Sequence, residues 1–485
     1  AQEGVRVWSR AEAVAAMTHA SPDLARATAA LARARVVAAG EVGIFDPVLG
    51  GQLDVRASRT PTDAALSSGI ATSQAFSLAL GVSRTVETGA RLQLQWVSAV
   101  DRSVFPFSTG LGFGDRRIVS GPNHQSQLVL TATQPLLRGR GRDATMQRVE
   151  AATRAALVRE AEVVEAGTRA LAALLGAYTE LRFAEAEVAV RTRSLDRTER
   201  QLAIASAEVE AGQVAPIELD RIREQILSRT ELVTVAQAEL RRRARAFERL
   251  VGAEASGGAR AGEELAVRGS AVGDIARCDA LDATHPALAV LAAQRQAAAS
   301  VVDQARSAAL PSLDLTLAYT QSGLDPSWHG AVGQMLRFEG RAIAIGAAAA
   351  WSPRNRTGES AIEAAALDLA SVEFEQDETR RALCFAIGDL VDGLEVLRAR
   401  DDLAAARVAL AERAIAAEAD RFSAGFSTVQ AGLDALELLE SAELARTRLA
   451  ADVALAEIEL ARAQGQLLLD ALDSSATATD AGASE

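Results

Sequence analysis

The chain has 485 residues and a formal net charge of −13, with 51 basic against 64 acidic residues and no lysine. Aromatic residues make up 4%, and the hydrophobic fraction of 49% leans on alanine, which favours helices over large globular cores. Affinity for nucleic acid comes largely from neutralising phosphates, so an acidic chain excludes nucleic acid as a partner. Nowhere do about eighteen apolar residues follow one another, and no transmembrane helix is expected.

The beginning of the sequence and its cysteines both bear on its compartment. The chain opens with "AQEGVRVW", without an initiator Met or an apolar signal core. This resembles a mature N-terminus left by signal-peptide cleavage, and we therefore predict export. Cys278 and Cys384 have no CxxC spacing, which argues against a metal or redox motif and leaves a disulfide in an oxidising compartment open.

Two halves of the chain repeat each other. The segment at 21–53 matches the one at 285–317, with Pro22 on Pro286 and Pro47 on Pro311. We predict a first structural repeat over 1–250, with a helix, strands at about 47–134, a long helix at 143–211 and a helix at 217–250. After a connecting segment at 251–281, we predict a second repeat over 282–472 and a disordered tail at 473–485. The second repeat is expected to have strands at about 311–321 and 342–352, a long helix at 358–424 and a helix at 430–470.

The predicted strands alternate between apolar and polar residues. Leu315, Leu317 and Tyr319 share one face, and Asp314 and Thr316 lie on the other. Strands of about ten residues with this alternation are typical of a transmembrane barrel. An ordinary half-buried antiparallel sheet has the same period, and the pattern alone does not separate the two.

The first repeat contains two further alternating runs within 74–100. Phe76, Leu78 and Leu80 alternate in one run, Leu92 and Leu94 in the other, and "ETG" between them is a plausible hairpin turn. The first repeat is therefore expected to have four strands and the second repeat two.

The helices are long and are interrupted at corresponding places. No proline occurs from about 143 to 211, which corresponds to a helix on the order of 100 Å long. After that, Val233, Leu240 and Phe247 recur every seven residues, as in a coiled-coil seam. Gly212 suits a helix C-terminal cap, and Pro216 suits the first turn of the next helix. Gly425 takes the role of Gly212 in the second repeat.

Motifs of catalysis are absent from the sequence. The four histidines are scattered without metal-ligand spacing, and no GxSxG, Walker A or HExxH segment occurs. We therefore predict a protein that is not an enzyme and that needs neither a cofactor nor a metal.

Three segments, in this order, resemble the TolC-like outer-membrane efflux protein family. They are "RAEAVAAMTHASPDL" (10–24), "LTATQPLLRGRGR" (130–142) and "ALPSLDLTLAY" (309–319). They resemble the N-terminal helix of the family, the strand that leaves its barrel and the Pro-Ser-Leu entry to a membrane strand. The resemblance covers roughly 5–470, and the internal duplication supports it.

The resemblance implies an α+β membrane protein with an internal duplication. In this family three copies share a twelve-stranded outer-membrane β-barrel, four strands each, and their helices form a coiled-coil barrel in the periplasm. It implies an exit duct of a tripartite efflux pump or type I secretion system, with a periplasmic adaptor, an inner-membrane transporter and outer-membrane lipid as partners. The extra runs at 74–100 depart from this plan, and we favour an extracellular extension over a wider barrel.

The resemblance also suggests residues at the periplasmic end of the duct. Asp434 falls on an acidic position of the channel constriction, whereas Ala431 stands where the family has a second acidic residue. Glu218 falls on an acidic position that helps to tether the closed tip, but its usual partners are not evident at 420–428. Both acids equally suit solvated first turns of helices. The predicted adaptor-docking tips comprise Gly212, Gln213, Val214, Pro216, Gly425, Phe426 and Ser427.

The alternative hypothesis is a soluble or periplasmic coiled-coil scaffold with a small sheet. Such a scaffold would stay in solution without detergent, whereas the duct would fractionate with the outer membrane as a trimer.

Overall fold

The computed structural model describes residues 6–64, 67–107, 116–210, 214–262, 281, 285–424 and 426–467. The chain forms two compact units. The first comprises Ala1–Ala32, Leu157–Gln294 and Glu373–Glu485, and the second comprises Arg33–Ala156 and Arg295–Val372. The units do not follow the sequence repeats, because each unit contains segments of both repeats.

The elements follow one another in the order helix, strands, long helix and shorter helix, twice. The first half contains β1 (Arg6–Trp8), α1 (Arg10–Ala20), α2 (Pro22–Glu41), β2 (Val48–Ala64), β3 (Ser67–Thr85), β4 (Arg91–Phe107), β5 (Arg116–Pro135), α3 (Gly141–Glu210), α4 (Ile217–Val251) and β6 (Ala259–Ala261). The second half contains α5 (Pro286–Ala309), β7 (Ser312–Asp325), α6 (Trp328–Leu336), β8 (Gly340–Ala350), α7 (Arg356–Ser423) and α8 (Val429–Ala463). Helix α6 has no counterpart in the sequence-based prediction.

The helices of the first unit pack through the seam residues of the sequence. Val233, Leu240 and Phe247 are buried on α4. The rings of Trp8 and Tyr178 meet the Phe247 ring edge-on, each with 5.9 Å between centroids. This aromatic cluster fixes β1, which pairs in parallel with β6.

Two glutamates tie three helices of this unit together by charge. Glu440 on α8 accepts a hydrogen bond from Ser194 on α3 at 2.7 Å and pairs with Arg229 on α4 at 3.1 Å. Glu180 on α3 pairs with Arg243 on α4 at 3.4 Å and with Arg448 on α8 at 3.1 Å. The Arg229–Glu440 pair is buried, and removing one of its partners would be costly, whereas the arginines that pair with Glu180 are more than a third exposed. Together the two glutamates specify how the three helices align.

Helix α8 ends earlier than the sequence pattern predicted. It stops at Ala463 instead of reaching residue 470. Gly465 takes the left-handed conformation, with φ of 73°, and the Gln466 amide donates to the Ala461 carbonyl at 3.0 Å. This cap satisfies the last carbonyls of the helix and ends it.

A six-stranded antiparallel sheet dominates the second unit, in the order β2-β3-β4-β5-β7-β8. The extra runs at 74–100 belong to β3 and β4, and both pair on two sides within this sheet. The segment expected as an extracellular extension is therefore part of the sheet and pairs with a neighbouring strand on each side. The alternation of apolar and polar residues predicted the strands, but it does not show which strands they pair with.

The β3–β4 turn reaches the end of the sheet where β5 leads into α3, which we call the lower end. The Thr88 carbonyl accepts from the Gly141 amide at 3.1 Å and from Gln134 Nε2 at 3.0 Å. Gly89 has φ of 83°, and a side chain there would collide with the Gly139 carbonyl. The hairpin thus crosses the whole height of the sheet.

Three predictions from the sequence concern residues outside the described part of the chain. The predicted disordered tail at 473–485 lies outside it, as does most of the connecting segment at 251–281. Cys384 on α7 is disulfide-bonded. Cys278, the only other cysteine of the sequence, lies outside the described residues.

A buried carboxylate organises the segment after α4. Glu248 is 2% exposed and accepts from the amides of Gly257 and Ala259, at 2.8 and 3.1 Å, and from the Ser256 hydroxyl at 2.8 Å. Burial alone would raise the pKa of Glu248. The hydrogen bonds together outweigh burial and hold this pKa below its usual value.

We expect Glu248→Gln to lower the free energy of unfolding at pH 7 by about 1–3 kcal/mol, because buried amides lose an acceptor. Because the pKa of Glu248 is lower in the folded state, its ionised form stabilises the folded protein at pH values above its unfolded-state pKa of about 4.3. This stabilisation is lost as the pH falls through the folded-state pKa. The difference between wild type and variant should therefore shrink in acid. Thermal unfolding followed by circular dichroism against pH measures this. The exposed Glu254→Gln is the control, and an equal loss with both variants would contradict the role of Glu248.

Candidate functional site: sheet wall and hairpin tips

The six-stranded sheet has one apolar face. The register aligns Leu53 with Leu78, Leu94 with Leu130, and Leu317 with Ile345. These side chains alternate with a polar or small set, as the sequence predicted. Many apolar ones are exposed to solvent in the single chain, Ile343 by 71%. An apolar face exposed over much of its area marks a surface that meets lipid or another molecule.

The apolar face forms a belt that contains no charged side chain within its limits. From the lower end, the first acidic, basic or histidine side chains that the face presents are Arg59 on β2, Arg102 on β4, His124 on β5, Asp325 on β7 and Arg341 on β8. At the lower end, Arg84 on β3 limits the belt. The belt is therefore bounded by these side chains above on five strands and by Arg84 below on β3.

The upper limit of the belt is slanted with respect to the hydrogen-bonded rows. The row of Arg341 on β8 passes through Gln321, Leu128, Trp96 and Leu80 to Gly51 on β2. The limit on β2 is Arg59, eight residues beyond Gly51. Counted from this row, the limit lies four residues higher on β7 and β5, six on β4 and eight on β2, so it shifts in one direction across the sheet.

This slant gives the angle between the strands and the axis of the belt. Eight residues rise about 26 Å along a strand, and the five spacings between six strands cover about 24 Å. The ratio corresponds to a tilt of roughly 45°, close to the 35–45° of strands in transmembrane barrels. A horizontal apolar layer crossed by tilted strands produces this pattern.

The opposite face of the sheet is polar and built from small residues. Asp54, Arg56 and Asp314 lie on it at the height of the belt. Much of the remainder is glycine, alanine, serine and threonine, including Ser77, Ala79, Gly81, Thr131, Thr133, Thr316, Ala342, Ala344 and Gly346. Charges at this height require water on this face.

Helix α6 covers a polar patch on the apolar face. Trp328 Nε1 donates to Ser98 Oγ at 3.1 Å, and Ser126 Oγ lies 3.3 Å from Met335 Sδ. The Gln321 side chain donates to the Met335 carbonyl. Ser126 and Gln321 are buried as a result. The helix thus satisfies polar groups that the apolar face would otherwise expose.

The contact between α6 and the sheet depends on glycine. A Cβ at Gly323 would collide with the Ala331 carbonyl oxygen and lie 2.7 Å from the Met335 amide nitrogen. Only a residue without a side chain allows this approach of backbone to backbone.

The two helix interruptions meet in the first unit. A cluster joins Ala205 of α3, Ile222 of α4, and Val429 and Leu433 of α8. Val214 and Phe422, one from each turn region, pack against it. The ends of the long helices from both repeats therefore form one small apolar core.

The remaining predicted tip residues take different positions. Pro216 is exposed, and the Ser427 hydroxyl hydrogen-bonds to Glu418. Phe426 is 77% exposed, which is unusual for so large an apolar side chain. Gly212, Gln213 and Gly425 lie outside the described residues.

The two predicted constriction acids are not brought together by contact. Asp434 is exposed and accepts from Gln430 Nε2 at 2.7 Å. Glu218 is half-buried and pairs with Arg221 at 3.0 Å. Each acid bonds to a neighbour on its own helix, so their role in a constriction stays a prediction.

A groove of about 470 Å³ lies between α3, α7 and α8 of the first unit. Its lining combines apolar and charged side chains, namely Arg197, Arg200, Gln201, Ile204, Glu208, Glu412, Ile415, Glu418, Ala419, Phe422, Gly432, Ala435, Leu436 and Leu439. Sequence reasoning missed this groove, because its lining comes from three helices distant in the chain.

The described residues show neither a membrane-crossing helix nor a metal-binding cluster. Within the residues that the structure describes, none of the helices combines the length and the apolar character that a membrane crossing requires. In the same residues, no three His, Cys, Asp or Glu side chains gather into a cluster able to hold a metal ion.

Comparison with solved structures finds this architecture in outer-membrane proteins. The outer-membrane channel OprN is 15% identical, over 94% of this chain and 89% of its own, with a TM-score of 0.65. The outer membrane protein VceC from Vibrio cholerae is 18% identical, over 93% and 95%, with a TM-score of 0.64. The CmeC outer membrane channel from Campylobacter jejuni is 13% identical, over 94% and 85%, with a TM-score of 0.61.

The chain has the fold of these outer-membrane channels. No family model matches its sequence, and no curated protein matches it either. The resemblance of its short motifs to the TolC-like proteins is confirmed as a likeness of fold.

We expect Gly323→Ala to displace α6 and to lower the free energy of unfolding by about 1–3 kcal/mol through overpacking. The displacement would also change the tryptophan emission, because Trp328 would lose its bond to Ser98. Gly346→Ala is the matched control, since a Cβ there meets nothing within 4 Å. Chemical unfolding in detergent, followed by tryptophan fluorescence, measures both effects. Equal behaviour of the two variants would contradict the packing described for α6.

Proposed function

We propose that the chain is the protomer of a homotrimeric outer-membrane channel. It would serve as the exit duct of a tripartite efflux pump or a type I secretion system. A periplasmic adaptor and an inner-membrane transporter would deliver the cargo, and the duct itself would catalyse no reaction. The chain would reach this location by export with a cleaved signal peptide.

The slanted, charge-free belt is the observation that carries this proposal. On β4 it runs from Leu92 to Val100, which is on the order of 30 Å along the strand. At a tilt of about 45° this gives a vertical height on the order of 20 Å, near the ~25 Å apolar band of outer-membrane barrels. A half-buried sheet of a soluble protein has no reason to end its apolar face along a slanted line of charges.

The edges of the sheet support assembly from several copies. Within the described part of the chain, β2 and β8 are the terminal strands. Long open edges are not tolerated in hydrocarbon, because their backbone groups find no partner there. Strand β2 starts at the lower end and β8 finishes there, so β8 of one copy can pair antiparallel with β2 of the next.

The hairpin tips support docking of an adaptor. Phe426 is exposed beside the apolar core that joins the two turns, and aromatic anchors of this kind dominate interface energetics. The groove between α3, α7 and α8 adds an apolar floor with charged walls. A helical hairpin of an adaptor would lay apolar side chains into such a groove.

The proposal is tested by fractionation and by planar-bilayer recording of the purified protein. We expect the protein in the outer-membrane fraction, as a detergent-stable trimer that produces discrete single-channel steps. A monomer that remains in solution without detergent and conducts no ions would contradict the proposal and favour the coiled-coil scaffold.

We expect Asp434→Asn to reduce the cation preference of the channel, because three copies of Asp434 would form an acidic ring. Reversal potentials in a salt gradient measure this preference. Asp377→Asn, an exposed acid elsewhere in the first unit, is the control and should leave the preference unchanged. Unchanged selectivity in Asp434→Asn would remove this residue from the constriction.

We expect Phe426→Ala to weaken adaptor binding about tenfold or more, as loss of an aromatic anchor does at interface hot spots. Phe374→Ala removes an equally exposed phenylalanine from α7 and should leave binding within about twofold. Titration of the trimer with the purified adaptor measures both. If the two variants bind the adaptor with similar affinities, Phe426 is not part of the docking surface.

A further inference from the structure

We propose that each copy of this chain contributes six strands to its membrane barrel, so that a trimer closes eighteen strands. This inference rests on the proposed function and deepens it. The TolC-like resemblance implied four strands per copy and twelve in the trimer. The difference lies in β3 and β4.

Strands β3 and β4 are full members of the wall. Strand β3 pairs with β2 from Val48 opposite Ser83 to Ala64 opposite Ser67, without a break in register. Strand β4 pairs with β3 from Thr72 opposite Val104 down to Thr85 opposite Arg91. A hairpin that belonged to an external loop would leave the sheet before its lower end.

The lower end of the hairpin is fixed at the level where the wall passes into helix. Thr88 in the β3–β4 turn accepts from Gly141, the first residue of α3. Arg142 lies in the first turn of α3, and its Nε is 3.7 Å from Oε2 of Glu87 in the β3–β4 turn. Strands that reach this level from the top of the sheet must cross the full apolar belt.

The belt itself continues through the hairpin. Strand β3 presents Phe76, Leu78, Leu80 and Val82 on the apolar face before it reaches Arg84. On β4 the upper limit of the belt is Arg102. Its height along the strands lies between that of Arg59 on β2 and that of His124 on β5. The limits on β2 and β4, the two neighbours of β3, follow the slant of the whole sheet, as expected of a single wall.

The direction of the edge strands permits closure in multiples of six. Because β2 and β8 run in opposite directions, every joint between copies is antiparallel, and the barrel keeps an even number of strands. Barrel diameter grows roughly linearly with strand number, so eighteen strands enclose a bore about 1.5 times wider than twelve. Barrels of about this size hold an aqueous channel.

The inner face suits a wide bore. Strand β3 turns Ser77, Ala79 and Gly81 to the polar face, and β8 turns Ala342, Ala344 and Gly346 there. Small side chains leave the width of the backbone wall available to cargo. The membrane segment therefore suits cargo broader than a twelve-stranded wall would admit.

Two neighbouring substitutions on β3 test whether this strand lies in the membrane. Leu80→Arg places a charge on the lipid-facing side, and we expect it to reduce trimer in the outer membrane at least tenfold. Ala79→Arg places the same charge on the polar side. It should leave the trimer within about twofold of wild type and shift ion selectivity towards anions. If both variants assemble normally, or both fail equally, β3 is not a strand of the wall and the proposal is overturned.

The strand number is counted directly by electron cryo-microscopy of the purified full-chain complex in lipid nanodiscs. We expect three copies and eighteen strands. A barrel of twelve strands, from two copies or from three with β3 and β4 outside the wall, would overturn the inference. Single-channel recording of the same sample separates the two claims. Conduction through twelve strands contradicts only the strand number, whereas eighteen strands without conduction contradict only the proposed function.

Discussion

Backbone hydrogen bonding at the two edges of the sheet is the constraint on which the proposed membrane wall depends. Strands β2 and β8 carry a row of amides and carbonyls that the described chain leaves without a strand partner. In water such edges invite aggregation, and in hydrocarbon each unpaired group costs several kcal/mol. Neither edge strand carries lysine, and β2 bears its one proline, Pro61, beyond Arg59. The proposed pairing of β8 with β2 of the next copy would satisfy them.

The tilt of the strands links this edge constraint to the amino-acid pattern. A closed barrel forces its strands to lean, and leaning strands enter an apolar layer at successively shifted residues. The shift from Arg59 on β2 to Arg341 on β8 records that lean in the sequence itself. Helix α6 covers Ser126 and Gln321, two polar side chains that interrupt the apolar face near the upper limit of the belt.

Local periodicity made much of this fold predictable from the sequence. The alternation of Leu315, Leu317 and Tyr319 and the heptads around Leu240 each identify a buried or apolar face without knowledge of partners. The placement of β3 and β4 was not predictable in this way, because strand pairing is a relation between segments. Helix α6 was missed because its nine residues are short and its stabilising contacts, such as Trp328 with Ser98, lie far apart in the chain. The groove beside the tips was missed for the same reason.

The first unit is held together by ion pairs along its helices and by apolar contacts at the hairpin tips. These two kinds of contact differ in what it costs to break them. Glu440 links α3, α4 and α8 through a buried pair with Arg229, whereas the pairs of Glu180 are more exposed. The tip core around Ile222 and Leu433 is small and purely apolar. Rearranging a few apolar contacts costs less than leaving a buried charge without its partner. In the proposed channel, a motion that opens the mouth would therefore separate the tip core first, while the Arg229–Glu440 pair keeps the three helices together.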